Sequence, residues 1–124
     1  MTKQEGIAFI ERYFAALREG KDRATLDAYI AEEPLFQHIA FFDAAFPGYW
    51  LEQQATLVDG DLIAVRFDFH GTHKGELMGI PPTNKTVKFE GIIIYQLADG
   101  KIVNHWMQTD TVRLLQQLGA MPVS

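Results

Sequence analysis

In the first third of the chain, the apolar residues recur at the spacing of helices. Thr2 and Glu5 have the spacing of a capping box, and we expect the first helix to span residues 2–19 and to end at Gly20. Its apolar face consists of Ile7, Ile10, Phe14 and Leu17. This pattern predicts an amphipathic helix packed on a core.

Two further helices are predicted before residue 47. Asp22 is a typical N-cap for a short second helix, and Pro34 favours the first turn of a third, which ends at Pro47-Gly48. The apolar residues of the third helix cover a wide face: Leu35, Phe36, Ile39, Ala40, Phe42 and Ala45. A face of that width predicts a well-buried helix.

Beyond Gly48 the period changes to that of strands. Strands are predicted over residues 49–58, 62–74, 87–97 and 101–109, with tight turns at 59–61 and 99–100. The Pro- and Gly-rich segment 76–86 is predicted to be a loop, and a short helix containing Leu114 and Leu118 follows the last strand. Helices followed by a meandering antiparallel sheet indicate an α+β domain.

Length and charge narrow the functional classes. With 124 residues, 48% of them hydrophobic, the chain fits one domain over 1–124. A formal charge of −5 disfavours nucleic acid as a partner, because phosphate-backbone binding needs clustered basic residues. The absence of cysteine excludes thiolate nucleophiles and Cys-ligated metals.

The sequence also suggests where the protein resides. Its start lacks the apolar run of a signal peptide, and no apolar stretch reaches the ~18 residues of a membrane span. We therefore expect a cytoplasmic protein that does not bind membranes. The sequence has neither a serine nucleophile elbow nor a phosphate-cradling glycine loop, which argues against hydrolase and nucleotide-binding functions.

Four short motifs occur in a characteristic order: Gly71-Thr72-His73-Lys74-Gly75-Glu76, Gly79-Ile80-Pro81-Pro82-Thr83, Asp99-Gly100-Lys101-Ile102-Val103, and Trp106 and Asp110 followed by Gln116-Gln117-Leu118-Gly119. In these motifs the chain resembles the SnoaL-like polyketide cyclase family, of the nuclear-transport-factor-two-like superfamily. The resemblance implies a cone-shaped, curved antiparallel sheet wrapped around the N-terminal helices, with one enclosed apolar pocket. It also implies a homodimer formed through the sheet and catalysis without cofactor or metal.

The resemblance further implies that Asp110 is the general acid/base of an intramolecular ring closure. A carboxyl group in an apolar pocket has a raised pKa, which suits it to proton transfer. The spacing alone leaves a second interpretation open, in which Asp110 is the N-cap of the last helix.

Neighbouring residues of the last strand are further candidates. Trp106 and Gln108 alternate onto the same strand face as Asp110, so an indole and an amide would orient a substrate beside it. His105 points to the other face and would reach this site as a second acid/base only through a bulge. Tyr95 would either turn its hydroxyl to the ligand or pack in the core.

The remaining histidines are weaker candidates. His70 and His73 are three residues apart on one strand and point to opposite faces, so they are not expected to chelate one metal ion. His73 is interpreted either as a pocket residue or as a structural histidine. His38, one turn from Phe42, is either a substrate-binding donor or a core histidine.

Three functional hypotheses follow. The first is a cofactor-free enzyme of cyclase, isomerase or lyase type that binds a small, mainly apolar carbonyl compound. The second is a non-catalytic protein that binds such a molecule in the same pocket. The third is a dimeric interaction module whose cavity has no ligand.

Overall fold

The computed structural model describes residues 1–122. Its elements are α1 (Lys3–Glu19), α2 (Arg23–Leu26), α3 (Glu33–Ala45), β1 (Trp50–Asp59), β2 (Leu62–Thr72), β3 (Thr86–Ala98), β4 (Lys101–Thr109) and α4 (Thr111–Gln117). The strands form one antiparallel, curved sheet in the order β1-β2-β3-β4. The predicted α+β class and element order are confirmed.

The helices pack on the inner face of this sheet. On α1, the Tyr13 ring meets Tyr95 of β3 edge to face with centroids 5.7 Å apart, and the Phe14 ring lies 6.5 Å from Phe67 of β2. Aromatic pairs in such geometry add to the free energy gained by burying apolar area. Aromatic side chains therefore connect α1 to the sheet through the core of the domain.

Two local sequence patterns, the capping box of α1 and the turn between β3 and β4, have the structures predicted for them. The backbone N–H of Glu5 donates to the Thr2 hydroxyl at 3.1 Å, and the Glu5 carboxylate accepts from the Thr2 N–H at 2.8 Å, so the predicted capping box is confirmed. Asp99 and Gly100 both have positive φ, 52° and 76°, as a two-residue hairpin turn requires.

Helix α3 is less deeply buried than its apolar pattern predicted. Leu35, Ile39 and Ala45 are buried, whereas Ala40 is exposed and Phe42 is half-buried. The six apolar positions spread over too wide an arc for one sheet to cover, so the edges of the arc reach the surface. Among residues 1–122, no helix is long and apolar enough to cross a membrane.

The outer face of the sheet carries an apolar row. Leu57, Ala64, Ile94 and Trp106 are successive cross-strand partners from β1 to β4. Leu57 is 71% exposed and Trp106 is 51% exposed, so the row is open to solvent in the single chain. We call these four residues the outer row.

Candidate active site

The inner face of the sheet encloses a small cavity. Its volume is about 40 Å³, and its wall includes seven Phe and Tyr side chains: Tyr13, Phe42, Tyr49, Phe67, Phe69, Phe89 and Tyr95. Pockets for small-molecule ligands usually measure about 300–1,000 Å³. The enclosed ligand-sized pocket predicted from the sequence is therefore not open in the described residues.

A largely buried acid–base pair lies next to this cavity, beside the wall residue His38. The Nδ1 atom of His105 on β4 contacts a carboxylate oxygen of Glu32, and these side chains are only 12% and 9% exposed. A carboxylate can only accept a hydrogen bond, so Nδ1 carries the proton. This arrangement leaves Nε2 of a neutral imidazole free to take a proton, or Nε2 of an imidazolium free to donate one.

The backbone explains why Glu32 lies beside His105. The N–H of Ala31 donates to the carbonyl of Ile102 at 2.8 Å, and the N–H of Ile102 donates to the carbonyl of Tyr29 at the same distance. The segment that precedes α3 is thereby fixed to the edge of β4. Glu32 is the N-cap residue of α3 but its side chain makes no capping bond, and the carboxylate reaches His105 instead.

His38 is the third polar group of this site. It lies on α3, lines the cavity, and has its ring centroid 5.8 Å from that of His105. Burial lowers the pKa of His38, and the neighbouring His105 lowers it further. His38 is therefore neutral at neutral pH, with one ring nitrogen able to donate and the other able to accept.

Two tyrosines complete the set of polar groups. Tyr13 and Tyr95 each expose only 1% of their surface and both line the cavity. Tyr95 is the cross-strand partner of His105 in the β3–β4 register. Burial raises the pKa of both hydroxyls, so both remain protonated at neutral pH.

Asp110 does not line this cavity, contrary to the expectation that its carboxyl would lie in the pocket. It is the exposed N-cap of α4, where its carboxylate accepts from the backbone N–H of Arg113 at 3.0 Å. The capping interpretation is confirmed. The reason is that Asp110 follows Thr109, which is both the last residue of β4 and a residue of the cavity wall. Asp110 therefore lies beyond the end of the strand and outside the cavity.

Trp106 and Gln108 also lie outside the cavity, on the outer face of β4. They do not line this cavity, and their role in substrate binding stays a prediction. The inner face of β4 instead presents His105, Met107 and Thr109. The β3–β4 register shifts from Gln96↔Asn104 to Leu97↔Ile102, so the alternation of β4 is broken directly before His105.

His73 is completely buried but is not a cavity residue. Its Nδ1 atom lies 3.0 Å from the Thr83 hydroxyl and accepts from the Thr83 N–H at 3.2 Å. Its Nε2 atom has no hydrogen-bond partner among the described residues. The bond to Thr83 ties the end of β2 to the segment before β3, which is a structural role.

A cluster on the outer face has the composition of a metal site. Ligating atoms of Glu52, Asp68 and His70 lie within 4.8 Å of one another. His70 Nε2 lies 2.9 Å from a Glu52 oxygen, and the Lys88 ammonium lies 3.6 Å from Asp68. Each of the three groups therefore already has a partner within the protein, and we assign the cluster a structural role.

Comparison with known proteins shows the family. The family model described as SnoaL-like polyketide cyclase matches residues 7–118. The chain belongs to this family.

Individual members are more distant. The chain is 38% identical over 50 residues to nogalonic acid methyl ester cyclase of Streptomyces nogalater, a match that spans 40% of this chain and 37% of that protein. Among solved structures, AclR from Streptomyces galilaeus superposes with a TM-score of 0.84 at 24% identity, covering 99% of this chain and 86% of AclR. IdmH from Streptomyces antibioticus gives 0.76 at 29% identity, covering 96% and 99%.

The family fold brings three of the seven predicted site residues together, namely His38, Tyr95 and His105. It adds two residues that sequence reasoning missed, Glu32 and Tyr13. Tyr13 could have been found, since an aromatic residue with a polar tip stood on the first helix beside its apolar face. Glu32 carried no local signal, because its partner is 73 residues away.

Proposed function

We propose that the protein is a cyclase-type enzyme that works without a cofactor on a small, mainly apolar carbonyl compound, with His105 as its general acid/base. The observation that carries this proposal is the largely buried His105–Glu32 pair, which lies beside the cavity residue His38. Family membership supports the cyclase-type reaction. The proposed acid/base differs from the aspartate expected from the sequence.

The reaction requires one proton to be moved twice. Nε2 of His105 removes a proton from the carbon next to a carbonyl, and the resulting enolate carbon attacks a second carbonyl of the same molecule. A carbon–carbon bond forms, the attacked carbonyl becomes an alkoxide, and the imidazolium returns the proton to it. Glu32 holds the ring in one orientation and stabilises the imidazolium between the two transfers.

Substrate binding requires the cavity to enlarge. Several residues of its wall are half-buried and mark the side from which a ligand would come: His38 and Phe42 on α3, and Met107 and Thr109 on β4. These residues place the opening between α3 and the β4 edge of the sheet. We therefore expect α3 to shift outward when a substrate enters.

The test follows exchange of a carbon-bound proton. The protein would be incubated in D₂O with nogalonic acid methyl ester, the compound named for the Streptomyces relative, and with simple ketones, and deuterium at the α carbon and any ring closure would be followed by NMR. We expect His105→Gln to lower the exchange rate by about 10²–10⁴-fold and Glu32→Gln to lower it less. Asp110→Asn, which keeps a capping side chain, should change it less than about threefold.

The opposite pattern of exchange rates in these variants would refute the role of His105 as general acid/base. Loss of exchange in Asp110→Asn with full exchange in His105→Gln would transfer the catalytic role to Asp110. Thermal unfolding of each variant separates these results from loss of the fold, because a folded but inactive His105→Gln protein is required.

A second candidate function is non-catalytic binding of an apolar molecule, which the aromatic and aliphatic side chains of the cavity wall favour. A binder needs shape but no proton transfer. It would bind its ligand equally well as wild type and as His105→Gln and would show no α-carbon exchange in either form.

We also propose that the outer row forms a homodimer interface. Four apolar residues in register across the whole sheet give a continuous apolar surface that a second copy can cover, and exposed apolar patches of this kind mark association sites. Trp106→Glu should convert the dimer to a monomer in sedimentation or light scattering. A wild-type protein that is monomeric at about 100 μM, far above the range of stable dimers, would refute this proposal.

A further inference from the structure

The cavity contains a pair of hydroxyl groups that proton transfer by His105 does not use. They belong to Tyr13 of α1 and Tyr95 of β3, whose rings meet edge to face at 5.7 Å. Both side chains are buried, and both line the cavity. A buried hydroxyl is costly unless it has a hydrogen-bond partner, so such a pair in an apolar interior calls for a function or a firm contact.

The two hydroxyls influence each other in opposite senses. Burial raises the pKa of Tyr13, and Tyr95 raises it further; burial also raises the pKa of Tyr95, but there Tyr13 opposes the rise. A hydrogen bond between the two hydroxyls contributes to both shifts, so the two groups lie within reach of each other. A protonated tyrosine hydroxyl in the cavity wall can donate to a ligand in the cavity.

The donor and the base are adjacent. Tyr95 and His105 are paired residues on β3 and β4, and both face inward. The Cβ atoms of such pairs lie about 4.5–5.5 Å apart. In a carbonyl compound the oxygen is two bonds from the α carbon, so one molecule can present its oxygen to Tyr95 and its α hydrogen to His105.

We propose that Tyr95, positioned by Tyr13, forms an oxyanion site that binds the oxygen of enolates and phenolates. Tyr95 is then a catalytic residue, because it touches the oxygen that becomes negative when the proton leaves. Tyr13 is a positioning residue that fixes the Tyr95 hydroxyl. A donor aimed at developing charge in a dry site contributes more than the same donor in water. This inference rests on the proposed function, since it assigns a partner to the proton transfer at His105.

The test uses binding, which does not depend on turnover. Phenol and a series of fluorinated phenols would be titrated into the protein by calorimetry at pH 7, with toluene as the ligand of matched shape that lacks the hydroxyl. Fluorine changes the acidity of a phenol far more than its size. An oxyanion site binds the more acidic phenols more tightly, and toluene stays outside this trend.

Single substitutions measure how much each tyrosine contributes to the dependence of binding on phenol acidity. Tyr95→Phe should weaken binding of the most acidic phenol by about 10- to 100-fold and remove the dependence on acidity, while toluene affinity changes by less than about threefold. Tyr13→Phe should reduce the dependence without removing it. Tyr29→Phe is the matched control, because Tyr29 packs 5.8 Å from the Tyr13 ring but does not line the cavity, and it should behave as wild type.

Because the cavity is small, the titrations would be repeated in Met107→Ala, which removes a half-buried side chain from its wall. Equal affinity for all phenols, or absence of phenol binding in both backgrounds, would overturn the oxyanion site. If that happens while His105→Gln still abolishes α-carbon exchange, the proposed function stands and only this inference fails. If phenol affinity does increase with acidity but α-carbon exchange is unchanged in His105→Gln, the oxyanion site stands and the proposed role of His105 fails.

Discussion

A larger residue at Gly91 should destabilise the fold, because the Phe67 ring packs against this position. The two are cross-strand partners, and both are buried on the inner face. A Cβ atom at position 91 would lie 2.4 Å from Cζ of Phe67 and 2.9 and 3.0 Å from its two Cε atoms. All three distances are at or below the limit of contact between carbons, so the ring must move.

The magnitude follows from where the ring can go. Phe14 lies against it on one side, and the cavity of about 40 Å³ offers little room on the other. Overpacking of a filled core costs about 1–3 kcal/mol, and the lower entropy of the unfolded chain with alanine returns about 0.5–1 kcal/mol. With the midpoints of these two ranges, Gly91→Ala should lower the free energy of unfolding by about 1.25 kcal/mol and the Tm by about 3–8 °C.

Urea unfolding of wild type, Gly91→Ala, Phe67→Leu and the double variant forms a cycle that isolates this contact. Leucine is shorter than phenylalanine, so the double variant should be more stable than the sum of the single effects predicts, with a coupling of about 1 kcal/mol. Gly91→Ala at or above wild-type stability, or strict additivity in the cycle, would refute the assignment of the Phe67 ring as the obstacle.

Two further predictions concern His38 and the α4 cap. The folded pKa of His38 is lowered from the ordinary value of 6.5, so the unfolded chain binds the proton more readily and wild-type stability should fall as the pH drops through 6.5 toward the folded pKa. His38→Gln should lose less stability between about pH 7.5 and about pH 5.5 in urea unfolding, and parallel losses would contradict the burial of a neutral imidazole. Asp110→Ala should cost about 0.5–2 kcal/mol of unfolding free energy and Asp110→Asn nearly nothing; equal stability of the alanine variant and wild type would argue against the capping bond.

The fold was predictable because its signals are local. The Thr2 and Glu5 cap, the turn at Asp99-Gly100 and the alternation of β2 each depend on residues close in sequence. Such short-range patterns determine where elements begin and end, and the order of elements then leaves few arrangements of the sheet.

The face of β4 was harder to assign. Each face of this strand mixes polar and apolar residues, with Trp106 and Gln108 on one and His105 and Met107 on the other. Alternation separates the two sets but does not indicate which set is buried. The choice made from Asp110 was wrong for the interior cavity, because Trp106 belongs to an exposed apolar row and the histidine face is inside.

The partner of His105 was not predictable from one sequence. Glu32 stands in a run of acidic residues that looks like an ordinary solvated helix start. Its meeting with His105 depends on the backbone bonds between the segment before α3 and Ile102, which are long-range pairings. The volume of the cavity was not predictable from the sequence either, because many aromatic residues are equally consistent with an open cavity and with a filled core.

The contact between Glu32 and His105 lies at the end of α3 that the backbone bonds of Ala31 and Ile102 fix to the edge strand. If α3 moves outward to admit a molecule, as proposed above, this anchored end is the hinge and the far end of the helix moves most. The carboxylate then stays beside the imidazole while the cavity is open. The base is aligned before a ligand arrives, and the helix controls access to the base without changing its orientation.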